Sequence, residues 1–168
     1  MTVSVQLVPI LYQPRGLARQ VQNAVMQAAA QEAAWCKDFF TTSTATWEHE
    51  VKWRWGAKDA SGVLEAYAGT DDLIYLFVSG GTRDHPITPV HAKKLVFQWG
   101  GVGSYKPKTV PGVMGSQSGG PTGPIVGRMS VHHPGTAPRN FDKVAADEWG
   151  KRWPTAMQEA ITRALKSS

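Results

Sequence analysis

The chain has 168 residues, of which 42% are apolar, 10% aromatic and 18% charged, enough apolar material for one folded core and too little charge for a disordered polyelectrolyte. No apolar run reaches the roughly 18 residues of a membrane span, the stretch from Met1 to Gln13 lacks the basic and then apolar pattern of a secretory signal, and the single cysteine, Cys36, excludes an internal disulfide and suits a reducing compartment. The net charge of +5 is unevenly placed, with seven bases and one acid between Arg83 and Arg139 against eleven bases and twelve acids elsewhere.

In chain order, an extended start and a turn at Pro14 precede a helix predicted from about Arg15 to about Phe40. Leu17, Val21, Ala24, Val25, Ala28, Trp35 and Phe39 recur at steps of three, four and seven. The helix stops where Thr41, Thr42, Ser43 and Thr44 replace helix formers. Within it, Ala28 to Ala30 leave a flat strip that another element can approach closely. From Trp47 to Trp55 aromatic and charged residues alternate, which predicts a half-buried strand with Trp47, Trp53 and Trp55 anchoring the core. Ala57 to Gly62 read as a turn longer than the tight two-residue type, and Val63 to Ala68 as the second strand of an antiparallel hairpin.

Thr70, Asp71 and Asp72 have the pattern of a helix N-cap, so Asp72 to Val78 reads as a short helix, with a buried strand over Leu73 to Val78 as the alternative; Gly80 and Gly81 end either one. Lys94 to Trp99 alternates as a strand with Leu95, Phe97 and Trp99 on one face, and Met129 to His133 is a second short strand. Between them Gly100 to Gly127 holds nine glycines, four prolines and no acid, which predicts a long mobile loop. Phe141 to Lys166 reads as a helix with an apolar stripe of Phe141, Val144, Ala145, Trp149, Trp153, Met157, Ile161 and Leu165. Pro154 predicts a kink or two abutting helices near Trp153. The fold class is therefore α+β: a single domain over 1–168 with long N- and C-terminal helices on a small antiparallel sheet and a flexible loop at about 100–127.

No catalytic set emerges from this pattern. There is no phosphate loop, dinucleotide fingerprint or His-Glu-x-x-His. Cys36 lies on the apolar side of its helix, where a small buried hydrophobe is the default. His85, His91, His132 and His133 lack the cysteine pair or spaced carboxylate that would complete a zinc site. Asp71 and Asp72 are explained by capping without chemistry. The chain thus reads as non-enzymatic, with neither metal nor cofactor. The seven bases, Arg83, Lys93, Lys94, Lys106, Lys108, Arg128 and Arg139, are spread over 57 residues, too dispersed for a sequence-reading helix. They imply an anionic partner, nucleic acid or an acidic protein face, or simply a solvated surface.

Two segments stand out: Gly81-Thr82-Arg83-Asp84-His85-Pro86-Ile87-Thr88-Pro89, leading into Lys93-Lys94-Leu95-Val96-Phe97, and His133-Pro134-Gly135-Thr136, followed by Arg139-Asn140-Phe141 at the start of the last helix. In residues and order this resembles the head-to-tail joining (tail-completion or neck) proteins of long-tailed bacteriophages. The resemblance implies a structural virion protein at the head-tail junction, made in the host cytoplasm, assembling as a homo-oligomeric ring with other neck, connector and tail proteins and in possible non-specific contact with packaged DNA. It implies a partner interface at Thr82, Arg83, His85, Ile87, Lys93, Lys94, Lys106, Lys108, Arg128, His133 and Arg139, with the loop ordering on assembly. The rival readings are a small basic nucleic-acid-binding module, a metal-dependent hydrolase built on the histidines, and a pair of turns that merely shape one domain. The prolines after His85 and Thr88 keep the chain there extended and stiff, which suits docking because little ordering entropy is lost on contact.

Overall fold

The computed structural model describes residues 2–7, 15–60 and 63–167. Strand β1 (Thr2–Leu7) is followed by helix α1 (Arg15–Thr41), a 3-10 turn (Thr42–Thr44), the hairpin β2 (Arg54–Ala60) and β3 (Val63–Gly69), and helix α2 (Leu73–Gly80). Then come the short strands β4 (His85–Ile87), β5 (Leu95–Gln98), β6 (Ile125–Arg128) and β7 (Val131–His133), and helix α3 (Phe141–Lys166). The expected α+β architecture holds. β1, β3 and β2 form an antiparallel sheet in that order, while β4 with β7 and β5 with β6 form two separate antiparallel ribbons. The expected turn at Pro14 lies outside the described residues.

The core lies where α1 meets β2 and β3 on one side and α3 on another, with α3 also reaching β1. Small residues make the close approach possible: Ala28, Ala29 and Ala33 of α1 and Ala66 and Ala68 of β3 are all buried. The α1 stripe is displaced from its predicted line, since Ala29, Ala33, Cys36 and Phe40 are fully buried whereas Trp35 and Phe39 are half-buried and stack on each other at 5.1 Å. Glu32, also buried, accepts two hydrogen bonds from Arg152 of α3, from Nε at 3.1 Å and Nη2 at 2.8 Å. The same guanidinium lies 4.2 Å above the Trp35 ring, so one arginine joins the two helices by charge and by cation–π contact.

α3 runs unbroken through Pro154 rather than as two helices. Its buried line follows Phe141, Ala145, Trp149, Trp153 and Met157 and then moves to Ala160 and Ala164. The predicted end of the stripe is therefore corrected: Leu165 is exposed, and Ala160 and Ala164 rather than Ile161 and Leu165 are buried, near the N-terminal half of α1.

The predicted strand over Trp47 to Trp55 is also corrected. Residues 47–53 are irregular, and pairing begins only at Arg54, opposite Gly69. The reason is the partner: β3 ends at Gly69, and Thr70 already turns into α2, accepting no further strand and donating its hydroxyl to Lys52 O at 2.7 Å. Trp47 and Trp53 still reach the core, with ring centroids 6.1 and 4.9 Å from the buried Tyr75. Trp55 does not; it is 46% exposed on β2, under Lys37. Residues 57–60 of the predicted long turn are strand instead, paired with β3 up to Ala60 opposite Val63, and the remainder of that turn lies outside the described residues.

The segment predicted as a structureless loop carries structure. Its last residues form β6 against β5, and Lys106 and Gly120 exchange backbone hydrogen bonds of 3.0 and 2.8 Å. Ser116 and Gln117 then tie it to the 42–46 turn: Ser116 Oγ donates to Thr42 O at 3.1 Å, and Thr46 Oγ1 donates to Gln117 O at 3.2 Å. The strand predicted over Met129 to His133 is shortened to β7 at Val131–His133, and Met129 and Ser130 link it to β6, which ends at Arg128 and belongs to the other ribbon.

Candidate functional site

α2 begins as its sequence predicts. Asp72 is the N-cap, its Oδ1 accepting the Tyr75 N–H at 2.9 Å, while Oδ2 meets His49 Nε2 at 2.6 Å. Burial pushes the Asp72 carboxyl up, but these bonds to His49 and the Tyr75 N–H outweigh it and hold the group below its ordinary value. At the other end Gly81 takes φ of +75°, which frees the chain from the helix.

From there the two sequence motifs meet. Thr82 and Thr136 exchange both backbone hydrogen bonds at 3.0 Å, and β4 continues the pairing with His85 opposite His133, Pro86 opposite His132 and Ile87 opposite Val131. Gly81 and Gly135 are required at this junction. A Cβ on Gly81 would lie 2.6 Å from Thr136 O and one on Gly135 would lie 2.4 Å from Thr82 O, and both residues have positive φ. The His85 and His133 rings face each other at 5.1 Å. His85 Nδ1 lies 2.8 Å from Arg83 O, whereas Gly135 N–H donates to His133 Nδ1 at 3.0 Å. Asp84 sits 3.5 Å from His132.

Two residues that the sequence did not single out lock this junction to the body. Ser79, buried in α2, gathers the incoming chain: its carbonyl accepts the N–H groups of Arg139 at 3.0 Å and Asn140 at 2.9 Å, and its Oγ accepts the Phe141 N–H at 3.2 Å. Thr109, also buried, accepts Arg139 Nε at 3.1 Å. Neither has a sequence signal, because each is a lone hydroxyl whose role depends on what folds against it.

The eleven predicted interface residues separate on this frame. Arg83, His85, Ile87, Lys93, Lys94, Lys106 and Arg128 are exposed. Thr82 and His133 are partly covered within the paired strands. Lys108 is half-buried and donates to Thr46 O at 3.1 Å. Arg139 is 8% exposed, its guanidinium bonded to Thr109 Oγ1 and to Ala137 O. The charges of Lys108 and Arg139 are turned inward, so the outward basic set is Arg83, Lys93, Lys94, Lys106 and Arg128.

Between α2 and the ribbons runs an open groove of about 1200 Å³. Trp47, Ile74 and Val78 line its body side, and Leu95, Phe97 and Trp99 its ribbon side. The exposed lining is mostly apolar, and Glu48, His49, His132 and His133 also border it. Among the described residues no group of three or more His, Cys, Asp or Glu side chains is placed to hold a metal, and no helix is long and apolar enough to cross a membrane. Cys36 lies in the core, where burial, and secondarily the negative charge of Glu32, push its thiol up to about 12; a thiol held protonated there is a packing group rather than a nucleophile. No protein-family model matches this chain, and no match is found among curated proteins or among solved structures.

Proposed function

We propose that this chain is a non-enzymatic structural protein of the phage neck, a tail-completion or head-to-tail connector subunit that assembles as a ring between the portal and the tail. The mechanism is geometric. A rigid body of two long helices on a sheet carries two projecting ribbons, and a subunit with unlike surfaces on its two sides closes into a ring by repeating one heterologous contact.

The observation that carries this reading is the pairing of the two motif segments. Residues 81–89 and 133–136 carry the resemblance to joining proteins and are separated by more than forty residues, yet they hydrogen-bond to each other and form one wall of an apolar groove. Motifs serving a turn alone would have no need of that shared surface. The decisive measurement is mass spectrometry of purified virions of the phage that encodes the chain: the protein is expected at a few to about a dozen copies per particle, the range of a closed ring, and its absence from infectious particles overturns the proposal.

A second reading, a nucleic-acid-binding module, is favoured by Trp99 and Tyr105, 44% and 56% exposed, on the same part of the chain as Lys94 and Lys106. Titration with single-stranded DNA at two salt concentrations separates the two. A dedicated binder shows micromolar or tighter affinity that falls steeply with salt, and a neck subunit does not.

A further inference from the structure

We propose that the groove between α2 and the ribbons binds an extended segment of a neighbouring protein, which adds as a strand to β5 and brings a carboxylate to the cations turned into the groove. This deepens the neck reading, on which it rests for the kind of neighbour.

Two inward cations lack a counter-charge. Arg139 is 8% exposed and donates to Thr109 Oγ1 and Ala137 O, each at 3.1 Å and each a neutral oxygen. Its Nη2 has no bond among the described residues and is not enclosed, so it opens on the groove that Arg139 lines. Lys108, half-buried on the same lining, donates to Thr46 O. Among the described residues neither forms an ion pair, whereas Arg152 meets the buried Glu32 through two bonds. A guanidinium withdrawn from water is normally paired. The groove's own acid, Glu48, is exposed and pairs with neither cation, and with Arg128 the described lining holds three bases to one acid. Charge complementarity therefore calls for a carboxylate brought from outside.

The strands set the form of what brings it. Every residue from Leu95 to Trp99 and from Val131 to Ala137 borders the groove, although successive strand residues point to opposite faces. The edges of β5 and β7, rather than one face of either ribbon, thus look onto it. Each ribbon has only two strands, so these edges are unpaired. Trp99 N–H donates to Pro124 O, which places Trp99, Phe97 and Leu95 at the hydrogen-bonded positions of the β5–β6 ladder and points the N–H and C=O of Val96 and Gln98 away from β6. A free edge of this kind takes up an extended chain by backbone hydrogen bonds, with pockets selecting its alternate side chains. Ile74, Val78 and Phe97 offer such a chain apolar contact. At about 1200 Å³ the groove also exceeds the roughly 300–1,000 Å³ of small-molecule sites.

The test uses the whole chain and the peptide acetyl-Val-Thr-Val-Glu-Val-Thr-Val-amide, titrated against tryptophan fluorescence, since Trp47 and Trp99 border the groove. Replacing the peptide's Glu by Gln is expected to weaken binding about tenfold, and Lys108→Gln in the protein is expected to shrink that preference. Exchanging Glu for Gln in the peptide leaves the protein's fold untouched, so this contrast stands even if the Lys108 variant unfolds. Two further peptides are N-methylated at odd or at even amides. One is expected to bind like the parent and the other at least about tenfold more weakly, because only alternate amides of an added strand face its neighbour. Octanoate, which has a carboxylate and an apolar chain but no amides, is expected not to compete. The inference is overturned by absence of binding up to about 1 mM peptide, by equal affinity for the Glu and Gln forms, by equal tolerance of the two methylated forms, or by octanoate displacing the peptide. The neck reading is judged separately: a chain present in virions that ignores the peptide removes only this site, and a chain that binds the peptide but is absent from virions removes only the neck assignment.

Discussion

Asp72 shows how one carboxylate can join two parts of the chain, capping α2 through the Tyr75 N–H while holding His49 in the irregular segment before β2. Because the fold keeps this carboxyl below its ordinary value, its stabilisation is complete above the unfolded pKa of about 4 and is lost as the pH falls through the lower folded value. Asp72→Ala is therefore expected to cost about 1 kcal/mol near neutrality, and the gap between the two proteins should narrow when urea unfolding is repeated at about pH 3. Arg139 differs in kind. In the sequence it reads as one more exposed base, but in the fold it is a buried strut. Arg139→Ala leaves the Thr109 hydroxyl without its donor and should cost about 2–3 kcal/mol. Arg83→Ala, at an exposed position, should stay within about 0.5 kcal/mol. Thermal unfolding of the two variants distinguishes a strut from a surface charge.

Among the elements, the three helices were legible because their signals are local. α2 carries an N-cap at Asp72, and α1 and α3 carry long runs with helical periodicity. The strands were less so, since a strand needs a partner and the sequence does not say where that partner ends. Trp47 to Trp53 alternate like a strand but have no remaining β3 residue to pair with. β6 is four residues inside a glycine-rich stretch, where periodicity has too few positions to register. Two-stranded ribbons are marginal by themselves, so β4 and β7 depend on the junction at Thr82 and Thr136. Gly135→Ala combines a positive φ with a clash at 2.4 Å and should destabilise the protein by about 2 kcal/mol or more. Hydrogen exchange should show the Thr82 and Thr136 amides losing protection before those of β2 and β3 do.

For the molecule as a whole, the core and the outward bases of the middle third are carried by different elements. The core is built by α1, α3 and the three-stranded sheet together with Tyr75 of α2 and Val51 and Trp53 before β2, whereas the outward bases lie on the ribbons and their approaches. Reversing Lys93, Lys94 and Arg128 to glutamate should therefore leave the unfolding free energy within about 1 kcal/mol of the parent, since each is an exposed substitution. Denaturant unfolding measures that term directly, and a large loss would place those lysines and the arginine in the folded core's support.

The sequence by itself determined the α+β class, the helix positions, the cap of α2 and the uneven placement of charge, because each depends on residues within a turn or two of one another. Only the tertiary structure decided that two distant motifs form one wall, that Arg139 and Lys108 turn inward, that Trp55 stays exposed, and that α2 and the ribbons border one apolar groove. Those outcomes depend on which segments end where and on what packs against them, and a contact between residues far apart in the chain leaves no mark on the spacing of either one.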